Sequence, residues 1–370
     1  MTKAAAHIYK NTQTPRVAGM RINARRWYLL TLAGILLLFS LASCKKDLYQ
    51  GKSADNELVI LAEITAGETM VVPVSKSIQV GNGGIITFEK VKSAIVTVSR
   101  EDGRTYTLSL NNSSDFSSDP ASVYSSSQRP KYNTVYNLKV QDPLSGTATA
   151  STTIPARVHL SGFDTSGDVR SGMPVLKCRF TLTDPPDTSH LYVFEALKQL
   201  VRLPHMFSYK GKSYNYDTPA GKALYEKVKD EPGVKLRLDT VPTNTYERLG
   251  IYTDDNNVDN AQVSSLDSSF RRIFLNGHFF NGRPYTETIY IDRKYFKATG
   301  AADLGRVLIQ IKSASAELYN YLFWYEKYKY DVGSLPPGQL YSPPGNIQNG
   351  LGIFGGSSKY ERTFYFDNLR

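Results

Sequence analysis

Three patterns in this chain set chemistry-bearing residues at suggestive spacings. Gly350-x-Gly352-x-x-Gly355 repeats the glycine spacing of a dinucleotide-binding turn. That chemistry needs a strand before the glycines, a helix opening on the phosphate, and an acid about 20 residues on. Here prolines precede the glycines and no helical pattern follows, so no cofactor is expected. The stretch reads instead as a glycine-rich turn, with Ile347, Leu351, Ile353 and Phe354 plugging the second domain. Its functional reading is a binding loop, with Asn346 and Phe354 as candidate contacts. Asp255-x-Asn257-x-Asp259 has the oxygen spacing that begins a calcium loop. Position six is Asn260 rather than glycine, and position twelve is Leu266, which supplies no bidentate carboxylate. A solvated acidic loop is therefore preferred, with calcium as the alternative. No G-x-S-x-G nucleophile elbow occurs. The histidines beyond residue 43 (His159, His190, His205 and His278) show no zinc-ligand spacing. Two carboxylates could pair as a glycosidase dyad, but 34 acidic residues give no basis for choosing two. No catalytic residue and no metal ligand is nominated, and a non-enzymatic role is expected.

The remaining pattern is Leu41-Ala42-Ser43-Cys44, which ends an apolar run from Trp27 to Ala42 behind Arg21, Arg25 and Arg26. A basic head, a short apolar core and small residues before a cut site make a secretory signal. A leucine, two small residues and a cysteine resemble the bacterial lipobox, where the thiol takes a lipid and the peptidase cuts just before it. Cys44 is thus the expected lipidation site. A transmembrane anchor is the alternative, but the run is shorter than the roughly 20 residues that cross a bilayer, and Lys45-Lys46-Asp47 follows at once. Residues 1–43 are the signal, with Met20 an alternative start, and 44–56 a lipidated tether. Cys178, alone in the remaining chain, cannot form an internal disulfide and reads as a buried inert thiol.

Charge argues against nucleic acid. The chain carries a formal +10, yet six of its 44 basic residues and none of its 34 acidic ones lie in residues 1–43. The rest carries only +4, too mild and dispersed for a nucleic-acid partner. Removing residues 1–43 leaves 327, enough for two ordinary domains. Twenty-five tyrosines and sixteen phenylalanines, with abundant Thr, Ser and Val, favour strands.

The expected fold is mainly β, with two β-sandwich-like domains. Residues 57–155 form the first, immunoglobulin-like, with about seven short strands. These include Glu57–Ile64, Thr69–Val74, Val91–Val98, Thr105–Leu108, Tyr136–Val140 and Thr147–Ile154. Asn111–Pro130, rich in Ser, Asn and Asp, reads as a loop. Residues 156–370 form the second, β-rich with helices. There Leu176–Leu182 alternates, with Leu191–Phe194 as its partner strand across Asp184–Asp187. Pro219–Lys229 reads as a short helix, and Phe280-Asn281-Gly282-Arg283 as a tight hairpin. Ser313 offers an N-cap to a late aromatic-rich helix, which Gly333 and Pro336-Pro337 stop. That helix crowds Tyr319, Tyr321, Phe323, Trp324, Tyr325, Tyr328 and Tyr330. Core packing is the preferred reading. The functional one is a partner surface that includes Tyr319 and Trp324.

Several segments also resemble a family. They are Tyr136–Val140 with Ile154-Pro155, Phe180–Pro185, Phe280–Arg283, and above all Asn346-Ile347-Gln348-Asn349-Gly350-Leu351-Gly352-Ile353-Phe354-Gly355. With the lipobox, they resemble Bacteroidota outer-membrane lipoproteins known as a domain of unknown function, the 4249 family. The resemblance runs from about Leu58 to the C-terminus. It implies an N-terminal β-sandwich and an outer-membrane location. It also implies an accessory binding role beside a TonB-dependent nutrient transporter. The family supplies no catalytic residues. The alternatives are an envelope hydrolase of glycan or peptide, and a surface adhesin. Lys45 and Lys46 ahead of Asp47 leave surface display and a periplasm-facing position both open.

Overall fold

The structure, a computed structural model, describes residues 56–80, 85–111, 121–183, 190–239, 241–260, 271–280, 282–296, 306–331 and 343–365. Cys44 with its signal, the Asp184–Asp187 turn, Asn281, and Gly333 with Pro336-Pro337 lie outside the described residues.

Alternating β-branched and aromatic residues build the strands. The first eight are β1 (Leu58–Thr65), β2 (Met70–Val80), β3 (Ile85–Lys90), β4 (Ile95–Arg100), β5 (Thr105–Leu110), β6 (Ser122–Ser126), β7 (Thr134–Asp142) and β8 (Gly146–Ile154). Next come β9 (Leu160–Arg170), β10 (Met173–Leu182), β11 (Leu191–Arg202), β12 (His205–Tyr209) and β13 (Lys212–Asn215). Helix α1 (Pro219–Val228) follows, capped by the Thr218 hydroxyl, which accepts from the Gly221 N–H at 3.0 Å. The chain continues through β14 (Arg237–Leu238), β15 (Val241–Arg248), β16 (Ile251–Thr253), β17 (Ile273–Asn276), β18 (Tyr285–Asp292) and β19 (Arg306–Ala314). Helix α2 (Ala316–Asp331) and the 15-residue strand β20 (Leu351–Tyr365) complete it.

The main sheet runs β15-β11-β19-β20-β1-β2-β6-β5-β4-β7-β8, with β17 joining β11 and β3 joining β2. It folds back on itself, so that Leu58, Ile60 and Ile64 of β1 meet Val96, Val98, Leu138 and Val140 in one buried cluster. A second sheet, β16-β18-β10-β9, covers the other end. Phe180 and Cys178 of β10 pack there against Phe194 of β11 and Ile309 and Ile311 of β19. Among the described residues the architecture is thus mainly β, with two sandwich-like cores and two helices. β20 belongs to both cores. Its first half runs parallel to β1, from Val59 against Leu351 to Thr65 against Ser357. Its second half runs antiparallel to β19. Ser53–Arg370 accordingly forms one compact unit.

Four local expectations are corrected. The Ser-rich stretch after Asn111 holds β6, which pairs with β2 and β5 through the alternation of buried Ser122 and Tyr124. β10 and β11 are not a hairpin. They lie in facing sheets, with the rings of Phe180 and Phe194 5.2 Å apart. Phe280–Arg283 does turn the chain, with the Arg283 N–H donating to the Phe280 carbonyl at 2.8 Å. It passes from β17 in one sheet to β18 in the other, so no hairpin forms. The α2 cap is Ser315, whose hydroxyl accepts from the Leu318 N–H at 3.4 Å, while Ser313 is still in β19.

Candidate functional site

In β1, β11, β19 and β20 every second side chain faces away from the sandwich cores. On that face the register lines up Glu195 with Gln310 and Glu361, and Leu197 with Leu308 and Thr363. Helix α2 covers one end of the face, where Leu318, Tyr319 and Leu322 pack on Val193, Phe274, Ala314 and Ile353.

Beneath the helix lies a buried ionic network. Glu195, 1 % exposed, takes the Arg248 Nε at 2.7 Å and the Arg272 Nε at 2.6 Å on its Oε1. Its Oε2 faces Lys312 Nζ at 3.3 Å. Lys312 also reaches Glu63 Oε1 at 3.0 Å, and Arg272 Nη1 reaches Glu326 Oε1 of α2 at 2.6 Å. The Ser357 hydroxyl donates to Glu63 Oε1 at 2.7 Å. Burial alone would push the Glu195 carboxyl up. The charges of Lys312, Arg272 and Arg248 outweigh it and hold the group well below the usual range. Glu63 moves the same way: burial raises it, and Lys312 with Ser357 more than reverses that. Three carboxylates thus balance three cations. A network so matched pins α2 across four strands. Its cations are already engaged by carboxylates.

Beyond the helix the same face stays open and polar. A cavity of about 320 Å³ lies there, lined by Gln199, Tyr246, Arg306, Leu308, Glu361 and Thr363. Arg306 donates to the Gln199 side-chain oxygen, and Gln310 Nε2 donates to Glu361 Oε1 at 2.5 Å. Tyr246 is 41 % exposed and offers a ring to solvent. The wall combines an aromatic face, both charges and neutral hydrogen-bonding groups, which suits a small polar ligand.

A second polar cluster sits at the rim of the other sandwich. Glu287 of β18, opposite Phe180 in the register, is fully buried. Its Oε1 accepts from the Thr253 hydroxyl at 2.6 Å and the Thr288 N–H at 2.9 Å. Its Oε2 meets no donor group among the described residues. Burial, with Asp255 beside it, pushes the Glu287 carboxyl up to about 8. Asp255 accepts from the Asn257 N–H at 2.9 Å and from the Tyr285 hydroxyl. Burial raises the Asp255 carboxyl too, but these donors reverse it, and the net shift is down.

The residues singled out from sequence scatter across this map. Tyr319 is 4 % exposed and donates to Asp259 Oδ2 at 2.5 Å, so it packs the helix and presents no face to a partner. Asp255 and Asp259 therefore serve different tyrosines and do not converge. Trp324 is half-buried, and its neighbour Tyr325 is exposed, at 45 %. Asn346 holds chain to chain: its amide donates to the Ser151 and Phe354 carbonyls and accepts from the Phe354 N–H, each at 2.9 Å. Phe354 is wholly buried in the first core. The expected glycine turn is strand. Gly352 has φ +104, and a Cβ there would meet the Ile60 carbonyl oxygen at 2.0 Å. At Gly355 a Cβ would meet Leu318 Cβ at 2.6 Å, so glycine lets β20 lie under both β1 and α2. Sequence reasoning missed Glu63, Glu195 and Lys312. Their signal was a charge inside an otherwise apolar strand run, as in Leu191-Tyr192-Val193-Phe194-Glu195-Ala196-Leu197.

Among the described residues, no group of three or more His, Cys, Asp or Glu is placed to hold a metal. No helix of the described residues is long and apolar enough to cross a membrane. The match to a family described as a domain of unknown function, DUF4249, covers residues 47–363. The chain belongs to this family. The segment Asn346–Gly355 is the start of β20 and the amide clamp that precedes it, which makes a structural role the ready account of its pattern. No curated protein matches the chain. Among solved structures, it is similar to the Enterococcus faecalis MSCRAMM ACE, reported to bind its ligands by the collagen hug model. That likeness has 10 % identity and a TM-score of 0.17, over 84 % of this chain and 94 % of that one. A putative membrane-anchored protein from Corynebacterium diphtheriae gives 10 % identity and a TM-score of 0.18, over 70 % of this chain and 54 % of its own. At such scores neither likeness carries an argument about function.

Proposed function

We propose that this chain is a lipid-anchored cell-envelope protein that acts without catalysis, as an accessory binding subunit of a TonB-dependent outer-membrane transporter. The observation that carries the reading is Leu41-Ala42-Ser43-Cys44 behind a basic and apolar leader. The first strand begins at Leu58, so a lipid on Cys44 would hold the β unit on a short tether. The open polar face with its cavity supports a binding role, and the helix pinned by buried charges keeps that face rigid. The transporter itself enters through the resemblance to outer-membrane lipoproteins.

The test is co-purification. A tag after Arg370, outer membranes solubilised in mild detergent, and identification of what elutes decide between the readings. A β-barrel transporter at equal stoichiometry is the expected result. A solitary lipoprotein would overturn the accessory role and shift weight to an envelope hydrolase or an adhesin.

A further inference from the structure

Glu287 poses a problem of satisfaction. Buried carboxylate oxygens in native proteins almost always face a donor, a water or an ion. Glu287 Oε2 meets no donor group among the described protein atoms. The nearest titratable neighbour is Asp255, whose carboxyl lies within hydrogen-bonding range. Two carboxylates that are both ionised bring only acceptors to each other, so either a proton on Glu287 or a cation must stand between them. Among the described residues no lysine or arginine is ion-paired with either carboxyl, in contrast to the network around Glu195.

The groups around the pair are all hard oxygen donors or their supports. Thr253 Oγ1 lies 2.6 Å from Glu287 Oε1 and accepts the Asp255 N–H at 3.1 Å. The Tyr285 hydroxyl touches Asp255 and takes the Asn257 amide at 3.2 Å. Glu287 itself is closed to water, while Asp255 is half-buried and Asn257 exposed. The cluster thus approaches solvent on its Asp255 side. Oxygen-only ligands with a route for coordinated water suit calcium, which takes six to eight oxygens in flexible geometry.

We infer that Glu287 and Asp255 hold a calcium ion at the rim of the second sandwich, with the Thr253 hydroxyl and water as further oxygen ligands. The ion would tie the segment after β16 to β18. Only Asp255 of the Asp255-x-Asn257-x-Asp259 pattern supplies a carboxylate, because Asp259 is committed to Tyr319. The second carboxylate comes from 32 residues downstream, which sequence spacing alone does not reveal.

The experiment uses the full-length protein in detergent, stripped with EDTA and titrated with calcium. Saturating calcium should raise the thermal midpoint by about 5 °C, the scale of a ligand well above its dissociation constant. Glu287→Gln and the milder Asp255→Asn should each abolish that rise. Terbium, a calcium mimic, should emit when tyrosine is excited, because Tyr285 touches a ligand, and calcium should quench that emission. The inference is overturned if wild type shows no calcium-dependent shift and no terbium emission. It is equally overturned if both variants respond as wild type does, since the ion would then sit elsewhere. Should Glu287→Gln fail to fold, Asp255→Asn with the terbium readout decides alone.

Discussion

Glu195 and Glu287 are both glutamates in the middle of strands, both are shut away from water, and they meet opposite surroundings. Glu195 is met by two arginines and a lysine, and its carboxyl is held strongly ionised. Glu287 is met by a hydroxyl, one backbone N–H and a second carboxyl, and it rises to about 8. Burial acts on both in the same direction, so the difference comes from neighbouring charge. The first cluster is closed: its charges cancel, and it fastens α2 to the sheet. The second is open, with an oxygen unmatched, and such a place invites an ion or a proton.

The largest effect should come from breaking the closed cluster. Arg272→Ala leaves the buried Glu326 without its cation and takes one of three cations from Glu195, and should lower unfolding stability by about 3–5 kcal/mol, read as a fall in the urea midpoint. A loss below about 1 kcal/mol, the range of surface pairs, would mean that the network does not pin the helix. Next is the backing of that helix. Gly355→Ala sets a Cβ at 2.6 Å from Leu318 Cβ and should destabilise by roughly 1–3 kcal/mol.

The open cluster should respond to pH in chelator. The folded Glu287 carboxyl titrates at about 8 against an ordinary 4.5, so the folded state holds its proton more tightly than the unfolded state does. The stability it contributes is full below pH 4.5 and is lost as pH rises through 8. Asp255 shifts the other way, and its effect falls at more acidic pH, below its ordinary 3.8. Denaturation series at pH 5 and pH 8 should show wild type declining and Glu287→Gln holding steadier. Equal declines would remove Glu287 from the explanation. The smallest effect belongs to the open cavity, where Tyr246→Ala should change stability by no more than about 0.5 kcal/mol. That leaves the variant fit for binding assays.

Much of the fold was legible where one strand's own alternation decides its state. β1, β7, β8, β10 and α1 fall close to their expected positions because each buries a periodic face. Pairing was less legible. β10 and β11 follow one another yet lie in different sheets, since partners are chosen by packing at long range and not by sequence adjacency. β20 was the hardest. Its glycines read as a turn, but they serve close approach to Ile60 and Leu318, which only the folded neighbours reveal. The same limit hid the polar sites. Glu63, Glu195 and Lys312 lie far apart in sequence, and only the β11-β19-β20-β1 order brings them together. Asn346 and Phe354 were singled out as binding contacts, whereas in the fold Asn346 clamps the backbone at Phe354, whose ring is buried.

The central claim, that the β unit is tied to a membrane by lipid on Cys44, is tested most directly by fractionation. Cells carrying wild type and Cys44→Ala would be separated into membrane and soluble fractions, with the tagged protein followed in each. The account predicts that wild type sediments with membranes and is released by detergent, whereas the variant stays soluble. A Cys44→Ala protein that remains in the membrane fraction, and leaves it only with detergent, would contradict it.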